Sequence, residues 1–347
     1  MSQNQAAWLQ EKGTALKVGD APMPTPGPDE MIVENRAIAI NPLDWHMQDH
    51  GIFVKEWPAI LGCDVAGQVY EVGANVTRFE KGDRVVGHTI NLVTGKSQDA
   101  AFALFSVIPA AKAASLPDKI SFVEGAVLPL ALETAVTGLS LQKAGTGMMG
   151  IPTPALGLPY PPLEPEAQSK IIVVCYGGSS SVGSMATQLA TAGGLNVVAI
   201  ASSRNFELCR TCGASEVYDH ADGSLVEKIV KTVRAQGGSF AGIFDAISIP
   251  STYAHDLEIL AKLGGGHLAC THPPPENVPD NVKAGMVFGV NDVADAVWET
   301  YVTPALESGK LRCLPQPSVV GKGLEYIQEA LEKSKAGVSA SKLVVEL

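Results

Sequence analysis

Charge is scarce in this sequence, and cysteine more so. Charged residues make up 18% of the 347 positions against 46% hydrophobic, a balance that excludes global disorder and permits a large core. Lysine and arginine number 25 against 36 aspartates and glutamates, a formal charge of −11, and no dense basic cluster interrupts that balance. Such a surface repels phosphate backbones and anionic lipid, so neither nucleic acid nor a membrane is expected as a partner. The six cysteines stand at 63, 175, 209, 212, 270 and 313. A chain this long needs no disulfide staples, and Cys175 and Cys270 lie in apolar strand-like runs where a thiol behaves as a small hydrophobe. The first residues, Met1 to Trp8, have no basic start and no apolar signal core. No run approaches about 18 apolar residues, so no membrane span is expected. The expectation is a soluble, cytoplasmic protein in a reducing compartment, with its one sequon, Asn75-Val-Thr77, unmodified.

What is present is length enough for two domains, with 35 glycines and 23 prolines marking many tight turns. The first ~120 residues read as short strands, at 31–40, 66–72 and 82–86, at a spacing that suggests a barrel-like β domain. The character changes at Ser121, an N-cap with Glu124 three residues on, followed by helical spacing over 122–143. Residues 145–169 hold six prolines and four glycines and read as a surface insertion. Strands are then expected at 171–176, 195–200, 216–218, 242–246 and 266–271 with helices between them, the alternation of a parallel sheet with crossover helices. Helices at 293–308 and 322–335 and a last strand at 342–347 complete the chain.

The sharpest local signal is Ile171-Ile-Val-Val-Cys-Tyr-Gly177-Gly178-Ser179-Ser180-Ser181-Val182-Gly183, running into a helix over 184–191. A buried strand that feeds a glycine turn and then a helix presents backbone N–H groups and the helix dipole to a pyrophosphate. Gly178 and Gly183 take the first and third glycine places of the dinucleotide fingerprint, and Ser180 replaces the middle one. An ordinary strand–helix turn would use the same glycines for packing alone; the flanking strands favour the dinucleotide. The second strand ends in Ser202-Ser203-Arg204-Asn205 with no acid for a ribose 2′-hydroxyl. Two hydroxyls and a guanidinium suit a 2′-phosphate, so NADPH is the expected cofactor, unless Arg204 is only a solvated cation.

Residues 61–85 resemble the signature segment of the medium-chain dehydrogenase/reductase superfamily, through G-x-D-x-A-G-x-V from Gly62, V-G-x-x-V-x-x-F from Val72 and G-D-R-V from Gly82. Asn41-Pro-Leu-Asp44 and Lys342-Leu-Val-Val345 agree. The resemblance implies an α/β protein with a GroES-like β-barrel catalytic domain from residues 1–120 and 286–347 and a Rossmann NADPH-binding domain at 121–285. Zinc alcohol dehydrogenases of that superfamily carry a Cys where this chain has Asn41 and a His-Glu pair where it has Cys63-Asp64. One thiol and one carboxylate fall short of three protein ligands. Residues 87–105 lack the cysteines of a structural-zinc lobe, and Cys209-x-x-Cys212 offers two ligands only. No metal is expected.

Within the superfamily the chain looks most like the zinc-independent enoyl reductases of fungal secondary metabolism, the toxin-D-like proteins that serve polyketide synthases in trans. The matching residues are Asn41-Pro-Leu-Asp-Trp-His46, Thr134-Ala-Val-Thr-Gly138, Leu156-Gly-Leu-Pro159 and Ser203-Arg-Asn-Phe206. The resemblance places His46 and Thr134 at the reacting centre, His46 standing where relatives commonly have Lys. It adds Asn41, Leu43, Asp44, Trp45, Tyr218, Ser341 and Lys342 to the cofactor contacts. It implies hydride transfer to the C=C bond of an α,β-unsaturated carbonyl, either a small molecule or an acyl thioester. The Tyr that some such reductases use as acid is replaced here by Phe53, which leaves His46 or water to deliver the proton. Quinone or aldehyde reduction, another role in a biosynthetic cluster, and non-catalytic NADPH binding remain open on the same scaffold. Finally, 266–271 reads as an edge strand running into His272-Pro-Pro-Pro275, and prolines blunt an edge, so a monomer is expected.

Overall fold

A computed structural model of the chain describes residues 3–163 and 169–347 and divides into two units, Met1–Leu130 with Trp298–Leu347, and Ala131–Val297. The breaks fall about ten residues later than 120 and 285. The Ser121-capped turn Phe122–Gly125 packs on strands Glu30–Ala39 and Asp64–Val72 and so belongs with the first unit. At the other break, a strand absent from the sequence reading, Val282–Met286, extends the sheet of the second unit.

The first unit is built on strand Glu30–Ala39. It pairs antiparallel with Asp64–Val72, with Phe105–Pro109 and with Lys342–Glu346. Val344 opposite Ala39 and Val345 opposite Ile38 put the two ends of the chain into one sheet. Met31, Ile32, Val33, Ala37, Ile38 and Ala39 are all buried, the near-continuous apolar pattern of a strand covered on both faces. A smaller sheet joins Asn4–Leu9 to Lys17–Ala21 and Ala59–Ile60.

Two expected helices are interrupted and a third begins late. The span 122–143 becomes Phe122–Gly125 and Pro129–Ser140, because Pro129 has no N–H to continue a helix and is suited to start one. Residues Phe122–Ser140 are long and apolar enough to cross a membrane by length and composition, which the sequence reading overlooked, but 72% of that window is buried inside the fold. The span 293–308 divides into Asp295–Thr300 and Val302–Ser308, and 322–335 begins one turn late, after strand Pro317–Lys322. All six cysteines are free.

The second unit is a parallel sheet in the order Glu216–Asp219, Asn196–Ala201, Ile171–Tyr176, Ser239–Asp245, Gly266–Cys270, Val282–Met286. Ile171–Tyr176 is central and buried apart from its first residue. Helix Leu225–Gln236 covers one face: Leu225, Val226, Ile229, Val230 and Val233 are buried at helical spacing, and Gly237 ends it in the left-handed conformation.

The expected edge strand, Gly266–Cys270, is not the edge, since Val282–Met286 lies outside it. That outer strand is covered in turn by the proline-rich insertion, of which residues 164–168 lie outside the described residues. Met286 N donates to Pro152 O at 2.8 Å. A Cβ at Gly285 would sit 2.5 Å from both Thr153 C and Pro154 N, so only glycine permits the approach. Ile229 is fully buried in the core of this unit; Ile229→Ala is expected to lower unfolding free energy by about 2–5 kcal/mol, read from urea denaturation, with little effect on the far-UV spectrum.

Candidate active site

In the second unit, strand Ile171–Tyr176 ends at Gly177, whose φ of +74° only glycine adopts freely. A Cβ at Gly183 would lie 2.1 Å from Gly177 O, so the turn closes on itself with no room for a side chain. Ser180, in place of the middle glycine, is the N-cap of helix Ser181–Ala192 and accepts from Gly183 N at 3.0 Å. Its φ of −75° needs no glycine. Cap and close approach leave free N–H groups and the positive end of the helix at the turn. Ser181 Oγ is buried there with no hydrogen-bond partner. An orphaned hydroxyl beside a glycine cradle fits a pyrophosphate, and hence the dinucleotide expected from the sequence.

Ser202 to Asn205 form the short turn after strand Asn196–Ala201, and Asn205 Nδ2 donates to Ser179 Oγ at 3.2 Å, which ties that turn to the glycine loop. Arg204 is exposed. Tyr218 is half-buried with its hydroxyl 2.6 Å from Thr232 Oγ1. The sequence reading found no acid here, yet the parallel register sets Asp219 opposite Ala201. Hydrogen bonds from Ala221 N and from Ser203 hold the Asp219 carboxyl below the usual carboxylate range. Ser203, counted toward a phosphate from the sequence, is thus engaged by a carboxylate. The signal was in the chain as Tyr218-Asp219-His220, but only strand pairing connects it to Ser202 and Ser203. Thr134 occupies the single half-exposed position of 131–140, with Gly289 backing onto its N–H.

In the first unit, Asn41 caps helix Pro42–His50. Its backbone N–H donates to Asp44 Oδ2 at 2.7 Å and its side-chain Nδ2 to Asp64 Oδ2 at 2.9 Å. Lys342 Nζ lies 3.1 Å from Asp64 Oδ2 and donates to Asn41 Oδ1, while Leu130 N donates to Asp64 Oδ1 at 2.7 Å. Asn41, Asp44 and Lys342, assigned to the cofactor by resemblance, are 1, 0 and 3% exposed. Their polar groups hold one another inside the unit. Leu43, Trp45 and His46 are half-buried, and the Trp45 and His46 rings touch with centroids 3.5 Å apart and planes tilted by 30°. Ser341 Oγ donates to Gln316 O at 3.1 Å.

Asn41, Cys63 and Asp64 stand where the resemblance implies the metal ligands of zinc alcohol dehydrogenases. Burial, with the charges of Asp44 and Asp64, pushes the Cys63 thiol well above its usual range. Burial drives His88 down to about 4. An amide, a protonated thiol and a carboxylate already paired with an ammonium do not fit zinc. Among the described residues no group of three or more His, Cys, Asp or Glu is placed to hold a metal.

A glycine cradle at the carboxyl end of a parallel sheet, in one chain with a mostly antiparallel unit made from both ends of the sequence, defines a two-domain oxidoreductase of the nicotinamide-dependent kind. Residues 27–118 match the alcohol dehydrogenase GroES-like domain and residues 181–288 match the zinc-binding dehydrogenase family. The chain is 61% identical over 100% of both sequences to "Dehydrogenase orsE" of Emericella nidulans. It is 40% identical to "Trans-enoyl reductase himH" of Aspergillus japonicus, over 99% of this chain and 97% of that one. A solved alcohol dehydrogenase superfamily protein from Novosphingobium aromaticivorans superposes with a TM-score of 0.77 at 23% identity, over 99% of each chain. The protein belongs to the medium-chain dehydrogenase/reductase superfamily, with a GroES-like domain and a Rossmann domain.

Asp44 supplies a test of the buried network. Burial, reinforced by Asp64, raises its pKa from 3.8 to about 7, so the folded protein binds this proton more tightly than the unfolded chain. The resulting stabilisation is complete below about pH 4 and is lost as pH rises through 7, at up to about 1.4 kcal/mol per pH unit. Asp44→Asn, which mimics the protonated acid, should flatten the Tm profile between pH 4 and 7; parallel profiles for the two proteins would contradict this. His88 contributes equally to both and cancels in the comparison.

Proposed function

We propose that the protein is an NADPH-dependent, zinc-independent reductase that transfers hydride to the C=C bond of an α,β-unsaturated carbonyl, acting in trans beside a polyketide synthase in fungal secondary metabolism. The observation that carries this reading is full-length similarity to proteins named trans-enoyl reductases, 40% identical in one case and 34% in another from Aspergillus flavipes. It is joined to a metal position filled by Asn41, Asp64 and Lys342. NADPH, when bound, supplies a hydride to the β-carbon. Negative charge then develops on the carbonyl oxygen, and a proton must reach the α-carbon. His46, half-buried and in ring contact with Trp45, is assigned to deliver that proton or to hold the cofactor ribose; Thr134 is assigned to the nicotinamide carboxamide. The glycine turn from Gly177 to Gly183 receives the pyrophosphate, and Ser202, Arg204, Asn205 and Tyr218 receive the adenosine end. Free thiols and a 72% buried apolar segment accord with a cytoplasmic enzyme.

A panel of enones and acyl thioesters, with NADPH consumption and product mass as readouts, tests the activity. The expected product is heavier by two hydrogens, from protein that carries well under one equivalent of zinc. Turnover of quinones or aldehydes alone would replace this reading with another reductase activity, and binding without turnover would make the protein a binder. NADPH should bind more tightly than NADH, and Arg204→Ala should weaken NADPH by about 1.5–3 kcal/mol while sparing NADH. Equal dissociation constants in the unmodified protein would sink the cofactor assignment.

The assembly follows from the covered edge. Sheet-to-sheet dimers need the outer N–H and C=O groups of the last strand, and Pro152 takes up Met286 N. We therefore assign a monomer, for a reason other than the one read from Pro273 to Pro275. Light scattering at micromolar concentration should give a species near 36.2 kDa; a stable species at twice that mass refutes it.

A further inference from the structure

The ends of the neighbouring strands Asn196–Ala201 and Glu216–Asp219 bring Asp219 and His220, which no motif singles out, beside Ser202. His220 N donates to Ala201 O at 3.2 Å, and His220 Nε2 lies 3.1 Å from Ser202 Oγ. In the tautomer where Ser202 donates to Nε2, the ring's Nδ1–H remains for a ligand. His220 is exposed, as is Arg204 on the adjoining turn. Asp219, next to His220, accepts from Ala221 N at 3.0 Å and engages Ser203. The following turn and helix bring Asp222 and Lys228, which pair with each other. The groups left at this turn are therefore two donors, Arg204 and His220, and one carboxylate, Asp219.

Resting on the reading that this turn receives the adenosine end of the cofactor, we propose that His220 is the second ligand of the 2′-phosphate beside Arg204, and that Asp219 opposes that phosphate. A phosphate monoester is stabilised by each added donor of a charge-assisted pair. A carboxylate at the same place repels it and suits an unphosphorylated ribose, whose hydroxyl it accepts from. Selectivity is thus a difference between two elements of opposite sign. The glycine turn and Arg204 hold the ligand, while the strand Glu216–Asp219 and the residue after it tune which ligand is favoured. Both residues act at the ribose end and leave the pyrophosphate untouched.

The test is calorimetric binding of adenosine 2′,5′-bisphosphate and of AMP to the whole protein, with far-UV spectra as the check on folding. His220→Ala should weaken the bisphosphate about tenfold and leave AMP unchanged, and His220→Lys should restore it. Asp219→Asn should tighten the bisphosphate several-fold relative to AMP. A wild-type preference for the bisphosphate that His220→Ala and Asp219→Asn both leave intact overturns this assignment alone. Equal binding of both nucleotides by the wild type overturns the phosphate site itself, and the assignment with it.

Discussion

A buried carboxylate survives only if its charge is answered, and in the first unit that requirement falls on Asp64. Three donors converge on its two oxygens: the ammonium of Lys342, the amide of Asn41 and the backbone N–H of Leu130. They come from the last strand of the chain, the cap of helix Pro42–His50 and the first turn of helix Pro129–Ser140, where the helix dipole adds to the attraction. Removing Lys342 would leave a carboxylate uncompensated in a site almost without solvent, and removing either neutral donor would leave one of its oxygens short of a hydrogen bond. The ion pair therefore does for this unit what side-chain packing alone cannot. It ties the carboxyl-terminal strand and the helix carrying Trp45 and His46 to the strand that begins at Asp64.

The same ion pair engages one of the two zinc-type donors that remain, since Asp64 faces Lys342 and Asn41. Replacing a thiolate by Asn41 removes one negative charge, and the ammonium of Lys342 supplies a positive one. The pocket thus keeps a cation facing Asp64 while the strongest ligand is replaced by a neutral amide. Cys63, left beside two acids, is held as a thiol by burial and by their charge. The proposed chemistry is consistent with this arrangement, since a conjugated carbonyl accepts hydride at its β-carbon and asks for donors at its oxygen and a proton at its α-carbon.

Much of the second unit was legible because its strands are short β-branched runs ending at glycine, serine or aspartate, and Ile171–Tyr176 was found to the residue. The strand Val282–Met286 was not, because Val-Lys-Ala-Gly-Met carries a lysine and a glycine and has a covered edge instead of a second strand beside it. The helices over 122–143 and 293–308 were read through their interruptions, because helical periodicity persists across a one-turn break while Pro129 resets the backbone. At the candidate site the glycine turn was readable from spacing alone. Asp219 and His220 were not, since their place beside Ser202 and Ser203 is decided by parallel register, which no local pattern encodes. The burial of Asn41, Asp44 and Lys342 was hidden for a similar reason: residues 41 and 342 meet only when the two chain ends share a sheet.

The cover over the outer strand also has an order in time. A chain leaves the ribosome from its amino end, so the segment around Pro152 exists long before Val282–Met286 does. When that last strand joins the sheet, the backbone that will occupy Met286 N is already present. A newly made sheet with an open, apolar border recruits other chains at just this stage. Placing the cover early in the sequence means that the border is never synthesised ahead of its guard, and the proline content that keeps the insertion from becoming a strand keeps it from offering a border of its own.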